Sequence, residues 1–292
     1  RRSLRVSGGA IRTGLAVAAG AALTLCLLGR GGGVGESAAV IRSTLSDARP
    51  APLGMALLLF FLSQVFRAWR WKLLSWDHPI AFGTALPLNA VHVGLGHLLP
   101  LRLADPLLVG LFRRYGGLSL GRGAATVLLS KFLDMAAMGI LAACAVAAGL
   151  SGSFAAAAAM VGVGSLAAVF LLPTAMGVLR KPLMAVSGGR FSRGYDNIEQ
   201  AVRVGAGRRG RFSGAFGLSL GAWTLKLFMF VFLLRALGVE FRPVWKVLVA
   251  GAVTDATLAM PVHGLMGMGT LEAGWTAGFA AVGVTGVLAP GL

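Results

Sequence analysis

Long apolar stretches separated by short polar segments run along most of the chain. They cover residues 13–29, 52–65, 136–178, 212–234 and 247–261. A helix of about 20 apolar residues spans a hydrocarbon core of about 30 Å. These stretches lack the polar face that a surface helix of a water-soluble domain carries. The pattern therefore predicts an all-α, polytopic integral membrane helical bundle.

One passage interrupts this pattern with polar and helix-breaking residues. Residues 89–106 read NAVHVGLGHLLPLRLADP and contain Gly94, Gly96 and Pro100. A proline removes a backbone hydrogen bond and clashes with the preceding helical turn. A broken helix at membrane depth is tolerated only where protein or a watery cavity satisfies its backbone. We therefore expect a re-entrant hairpin here.

A second passage has the same character. Residues 255–274 read DATLAMPVHGLMGMGTLEAG, in which an apolar run ends at a proline and is followed by glycines and a glutamate. Each passage follows a long apolar run with an Arg–Ala pair, Arg67–Ala68 in the first case and Arg235–Ala236 in the second. The repetition predicts an inverted repeat, in which two broken hairpins meet near the bilayer midplane.

Charge orients the predicted spans. The chain is 57% hydrophobic and 13% charged, with a mean hydropathy of +0.80 and a net charge of +17. Because the basic residues lie between apolar spans, membrane insertion explains them better than nucleic-acid binding does. Residues 180–211 hold eight Lys and Arg against two acids, which predicts a cytoplasmic loop. On this orientation the first hairpin enters from inside and the second from outside.

The resulting organisation is a single transmembrane domain over residues 1–292, in a bacterial-type cytoplasmic (inner) membrane. The N-terminal apolar run is longer than a signal-peptide core and lacks a clear cleavage site, so it is expected to remain as a helix. The expected segments are an N-terminal helix and outer loop (1–50), a first repeat with its hairpin (51–122), a helix pair (123–179), the basic loop (180–211) and a second repeat with its hairpin (212–292).

Several short motifs together resemble one known family. They are RAWRWKLL (67–74), Asn89, LLPLRLAD (98–105), RRYGGLSLGRGAATVLL (113–129), KFLD (131–134), and Pro261 followed by Gly264, Gly267, Gly269 and Glu272. In this order they resemble the membrane domain of lysylphosphatidylglycerol synthases, a family that also includes stand-alone flippase-like proteins. The resemblance covers roughly residues 50–285 and implies a membrane protein that handles lipid headgroups.

The chain departs from the family pattern at three places. Ala104–Asp105 replace a Gly-Glu pair, Lys131 replaces an arginine three residues before Asp134, and His263 replaces a small residue. The charge types survive, whereas the shorter acid changes the reach of the side chain. The family's synthase activity resides in a soluble C-terminal domain and the chain ends at Leu292. We therefore expect no aminoacyl transfer and no enzyme activity.

Polar residues inside apolar spans are the candidate site residues, because a charge at mid-membrane costs about 2.5–3.5 kcal/mol and is retained for pairing or function. The predicted substrate-binding residues are Asn89, Arg102, Asp105, Lys131, Asp134, Lys226, Asp255, His263 and Glu272. Arg102 with Asp105, and Lys131 with Asp134, have i,i+3 spacing and form either headgroup contacts or structural salt bridges. Lys226 lies in a span without an acid, so Asp255 and Glu272 are its expected partners.

The sequence gives little support for metal binding, nucleophilic catalysis or a nucleotide-binding phosphate loop. His92 and His97 lack the spacing of metal ligands, no nucleophile–base motif is present, and the glycines of residues 29–35 lack the remainder of a phosphate loop. We expect neither a metal nor a cofactor. The tryptophans and basic residues of 66–76, namely Trp69, Trp71 and Trp76 with Arg67, Arg70 and Lys72, are expected to form an interfacial belt.

The sequence thus predicts a lipid flippase or transporter. Its substrate would be a phospholipid, an aminoacyl-lipid or a polyprenyl-phosphate-linked headgroup moved between leaflets. The expected partner is a membrane lipid with an anionic or aminoacylated headgroup, and no nucleic acid. An ion-coupled small-solute carrier and a non-transporting subunit that scaffolds a lipid synthase remain alternatives, and a second copy of the chain remains open as a partner.

Overall fold

The computed structural model is all-helical over the residues it describes. These are residues 42–43, 46–75, 78–98, 103–147, 160, 163–164, 167, 171, 174–182, 185, 192–257 and 270–284. The helices are α1 (Pro50–Leu74), α2 (Phe82–Leu98), α3 (Ala104–Gly116), α4 (Leu120–Ala147), α5 (Ser192–Gly207), α6 (Arg209–Ala236), α7 (Trp245–Thr257) and α8 (Thr270–Ala281). The predicted all-α class is confirmed.

Three of these helices are long and apolar enough to cross a bilayer. Their apolar spans are Pro50–Leu74 in α1, Leu120–Cys144 in α4 and Gly210–Ala236 in α6. By length and composition they are candidate membrane spans, as the apolar pattern of the sequence predicts. The re-entrant hairpins and the inverted repeat remain predictions, because Pro100, Arg102 and Pro261 lie outside the described residues.

Local sequence signals explain several helix ends. Pro50 opens α1, where the missing N–H costs nothing because first-turn amides have no helical partner. Ser119 caps α4 by accepting a hydrogen bond from Arg122 N at 3.3 Å. Gly117 and Gly238 follow α3 and α6 with φ of 69° and 78°, a left-handed conformation that glycine adopts without steric penalty.

The described residues belong to two compact units. Unit 1 falls within Arg1–Leu53, Val93–Ala104 and Val231–Leu292, and unit 2 within Gly54–His92 and Asp105–Phe230. In unit 1, α7 and α8 pack closely: a methyl group at Gly278 would lie 2.7 Å from Ala250 Cα. Phe279 stacks on Phe241 and Trp275, with ring centroids 4.7 and 5.4 Å apart.

Unit 2 is built around the three long helices. α1 and α6 approach closely at Gly221, where an added methyl would meet the ring of Phe66 at 2.5 Å. Leu74 at the end of α1, Ala125 near the start of α4 and Phe212 near the start of α6 share one apolar cluster. The C-terminal end of α1 therefore lies beside the N-terminal ends of α4 and α6.

This end of unit 2 is basic. Exposed or half-buried basic residues lie close to these helix ends, among them Lys72, Arg113, Arg114, Arg122, Arg208 and Arg211. The predicted loop 180–211 contributes here too, although much of it is helical, since α5 covers Ser192–Gly207 and α6 begins at Arg209. Tyr195, Ile198 and Val202 on α5 pack into the same apolar cluster. α5 is therefore an amphipathic helix held against the bundle.

Candidate functional site

A buried ionic cluster joins the three long helices of unit 2 around Asp134. Arg70 on α1 donates two hydrogen bonds to this carboxylate, one from Nη1 to Oδ1 and one from Nη2 to Oδ2 at 3.1 Å. Trp223 Nε1 on α6 donates to Oδ1 at 2.7 Å, and Arg67 Nη1 lies 3.6 Å from Oδ2. Arg70 Nη1 also donates to Ser219 Oγ at 2.8 Å. We call Arg67, Arg70, Asp134, Ser219 and Trp223 the Asp134 cluster.

Helical periodicity brings these residues together. Arg67 and Arg70 are three residues apart on α1, so they share one face. Ser219 and Trp223 are four apart on α6, and Lys226 continues that face three residues later. Asp134 is the fifteenth residue of the 25-residue span Leu120–Cys144, and Trp223 is the fourteenth of the 27-residue span Gly210–Ala236. The cluster therefore lies near the middle of two spans.

The indole of Trp223 also carries two cations over its ring. The Arg67 guanidinium carbon lies 4.9 Å from the ring centroid, and Lys226 Nζ lies 5.1 Å from it. Lys226 Nζ additionally lies 5.9 Å from the ring centroid of Phe230. A desolvated cation–π contact contributes up to about 2 kcal/mol. Trp223 thus links the carboxylate to the cationic side chains around it.

A second cluster, formed by His92, Asp105 and Lys131, connects α2, α3 and α4. His92 Nε2 donates to Asp105 Oδ1 at 2.9 Å, and Lys131 Nζ lies 2.9 Å from the same oxygen. We call it the Asp105 cluster. It is more open than the Asp134 cluster, because the Lys131 side chain is 38% exposed whereas that of Arg70 is 3% exposed. Lys131 is three residues from Asp134 on α4, so the two clusters are neighbours.

The structure corrects the predicted interfacial belt of residues 66–76. Trp71 and Arg70 are not part of an interfacial belt: Trp71 is only 3% exposed and packs on Phe112 and His92, with ring centroids 5.0 and 5.9 Å apart. The belt prediction fails for them because three successive helix positions face different directions. Trp69 is 48% exposed and fits a belt, with Lys72 Nζ 5.8 Å from its ring centroid. Trp76 lies outside the described residues.

The other predicted site residues lie outside the two clusters or outside the described residues. Asn89 is buried and donates from Nδ2 to Gln64 Oε1 at 2.7 Å. Asp255 is buried near the end of α7, and Glu272 lies in the first turn of α8, both in unit 1. Arg102 and His263 lie outside the described residues. The predicted approach of Arg102 and Asp105 to Glu272 therefore stays a prediction.

Sequence reasoning missed Arg67, Arg70 and Trp223 as members of the polar interior. A signal was present in each case. Two arginines at i,i+3 on a mostly apolar helix share one face, so one acid on a neighbouring helix can pair with both. A tryptophan three residues before the only lysine of a span lies on that lysine's face, where its N–H needs an acceptor when buried.

Comparison with known proteins identifies the family. The family model described as the lysylphosphatidylglycerol synthase TM region matches residues 11–292. No curated protein and no solved structure matches the chain. The match covers nearly all of the sequence and agrees with the apolar helices and the motifs around Arg67, Asp105 and Asp134. The chain therefore belongs to the family of the lysylphosphatidylglycerol synthase transmembrane region.

Proposed function

We propose that this protein is a flippase that binds a lipid headgroup in the polar interior of unit 2 and moves it between leaflets. The headgroup would be that of a phospholipid, an aminoacyl-lipid or a polyprenyl-phosphate-linked sugar. The observation that carries the proposal is the Asp134 cluster, a buried ionic network that joins three mostly apolar spans and places Asp134 near the middle of its own span. Charges at that depth are costly and mark substrate or ion pathways in membrane proteins.

The Asp105 cluster supports a pathway rather than an isolated bridge. Lys131 and Asp134 lie one turn apart on α4. Through the two clusters they link His92 on α2 and Asp105 on α3 to α1 and α6. Exposure rises from Arg70 to Lys131, so polar groups lead from the buried cluster toward the surface. A headgroup can move along such a row while its acyl chains stay in the apolar phase. We propose no covalent step, and the lipid would be recovered chemically unchanged.

The same proposal places the protein in a cytoplasmic (inner) membrane with the basic end of unit 2 inside. Support comes from the joint position of the ends of α1, α4 and α6, which collects the basic residues of several segments at one end. Basic segments are retained on the cytoplasmic side during insertion. They also suit the negative surface potential of that leaflet.

The test is lipid translocation by the purified full chain in liposomes without ATP. Fluorescent phosphatidylglycerol in the outer leaflet should become protected from a membrane-impermeant quencher faster than in protein-free liposomes. The variant Arg70→Met should reduce this rate, with folding checked by thermal unfolding. If phospholipids and polyprenyl phosphates all stay in place while the protein is folded, the chain is better explained as a scaffold for a lipid synthase.

An ion-coupled carrier is the second candidate, favoured by one observation. His92 and Lys131 share one oxygen of Asp105, and ionisable clusters inside a membrane protein mark proton and ion pathways as well as substrate sites. Uptake of a small solute driven by a pH gradient, without lipid translocation, would support this candidate over the flippase.

A further inference from the structure

The carboxylates of unit 2 are already engaged by its own basic residues. The described acids of this unit form these ion pairs: Asp105 with Lys131, Asp134 with Arg67 and Arg70, Asp196 with Arg180, and Glu199 with Arg203. A cationic ligand would therefore have to displace an ion pair at any of the described acids of unit 2.

Displacement is most costly in the Asp134 cluster. Asp134 accepts hydrogen bonds from both Nη groups of Arg70 and from Trp223 Nε1. An ammonium that took over this carboxylate would leave the Arg70 guanidinium, whose side chain is 3% exposed, without its counter-ion. Removing one partner of a buried ion pair costs far more than the pair itself contributes. The cluster is therefore poorly suited to an amine.

The same cluster is well suited to an anion. In the ion pairs of the two clusters, two carboxylates, Asp105 and Asp134, face three cations. The cations are Arg67, Arg70 and Lys131. Arg67 makes the longest of these contacts, at 3.6 Å. Arg70 Nε is buried and has no hydrogen-bond acceptor among the described residues. Phosphate oxygens match such donors, because planar guanidinium groups bind phosphate with two parallel hydrogen bonds.

We infer that the polar interior of unit 2 recognises its ligand by an anionic phosphate, and that an aminoacylated headgroup is the poorer ligand. The inference rests on the proposed function and narrows its substrate class. An anionic headgroup such as phosphatidylglycerol presents the phosphate alone. Its lysyl ester carries the same phosphate together with two ammonium groups, which would meet Arg67, Lys131 and Lys226 as like charges. The shared chemistry is the phosphate, whether of a lipid or of free phosphate.

Equilibrium binding to the purified full chain in a neutral detergent tests this. The probes are short-chain phosphatidylglycerol, its lysyl ester, short-chain phosphatidylcholine and inorganic phosphate, each titrated by calorimetry. Phosphatidylglycerol should bind about tenfold more tightly than the lysyl ester, which corresponds to the loss of one charge-assisted contact. Equal or tighter binding of the lysyl ester overturns the inference. Inorganic phosphate that binds as tightly as phosphatidylglycerol identifies free phosphate as the source of the ligand.

Matched variants connect the preference to the site. Lys226→Gln and Arg67→Gln should each weaken phosphatidylglycerol binding about tenfold, and Lys226→Arg should restore it. Lys72→Gln is the control. Lys72 Nζ also lies over a tryptophan ring, 5.8 Å from the centroid of Trp69, but Trp69 belongs to neither cluster, whereas Lys226 Nζ lies over Trp223 of the Asp134 cluster. An equal loss in Lys72→Gln and Lys226→Gln would assign binding to general surface charge and overturn the inference.

Transport measured on the same preparations separates this inference from the proposed function. If liposomes flip lysyl-phosphatidylglycerol as fast as phosphatidylglycerol, the phosphate preference fails and the flippase stands. If no lipid moves while phosphatidylglycerol binds with the expected preference, the flippase fails and the anion site stands.

Discussion

Lys131 and Asp134, one turn apart on α4, form their ion pairs with two different helices. Lys131 Nζ lies 2.9 Å from Asp105 Oδ1 on α3, whereas Asp134 binds the guanidinium of Arg70 on α1. Their i,i+3 spacing would allow a bridge within the helix. Instead the two charges connect α4 to its neighbours, and this places the two clusters side by side.

Loss of the Asp134 carboxylate should destabilise the protein strongly. Asp134→Asn leaves the buried Arg70 without a counter-ion, and breaking a buried pair in this way costs about 3–5 kcal/mol. Thermal unfolding in detergent measures the effect. Asp196→Asn is the control, because Asp196 pairs with Arg180 at the surface, where both side chains are about half exposed. Equal melting temperatures for the two variants would contradict a buried Asp134.

The contact between Lys131 and Asp105 should give a measurable but smaller coupling. Lys131→Met, Asp105→Asn and the double variant form a double-mutant cycle. We expect a coupling of about 0.5–1 kcal/mol, because the Lys131 side chain is partly exposed and solvent screens the pair. The free energy of unfolding in detergent is the measured quantity. A coupling of zero would show that the two side chains do not interact.

Close packing of α7 on α8 should make Gly278 intolerant of a side chain. A methyl group there would lie 2.7 Å from Ala250 Cα and 2.8 Å from Ala250 O, which are backbone atoms that cannot turn aside. Gly278→Ala should therefore lower stability by about 1–3 kcal/mol. In α6, a methyl group at Gly217 meets no atom within 4 Å, so Gly217→Ala should be neutral or stabilising because alanine favours the helix. Equal effects on the melting temperature would contradict this packing.

The basic end of unit 2 should face the cytoplasm. In a background free of Cys26 and Cys144, single cysteines at Ser187 and Ser192 should react with an impermeant maleimide only from the inside of oriented vesicles. A cysteine at Glu240, beyond the far end of α6, should react from the outside. Labelling of the first two sites from outside would reverse the orientation.

Acid should loosen the contact between Arg180 and α5. The hydrogen bond from Arg180 holds the pKa of Asp196 below its ordinary value of 3.8. A lowered carboxyl pKa stabilises the folded form above that ordinary value, and this contribution is lost as the pH falls through the lower folded value. Amide hydrogen exchange over residues 192–207 should therefore accelerate, after correction for intrinsic rates, as the pH falls below about 3.8. In Asp196→Asn the acceleration should be absent.

Membrane insertion could be predicted from the sequence because it depends on local quantities. The apolar length of each run decides whether it spans a bilayer, and the basic residues beside it decide its orientation. The all-α class and the spans around Phe60, Leu129 and Phe228 required no knowledge of which helices touch. The motifs around Arg67, Asp105 and Asp134 were likewise sufficient to indicate the family.

The partners of the charges were decided by tertiary structure. The sequence offered Lys131 for Asp134 by spacing alone, whereas Asp134 binds Arg70 and Lys131 binds Asp105. The sequence also placed Trp71 at the membrane interface, whereas the structure buries it inside unit 2. Spacing reports which side chains share a helix face, but not which neighbouring helix that face meets. The meeting of α1, α4 and α6 depends on close contacts such as Phe66 at Gly221, and such complementarity exists only when residues distant in sequence are packed together.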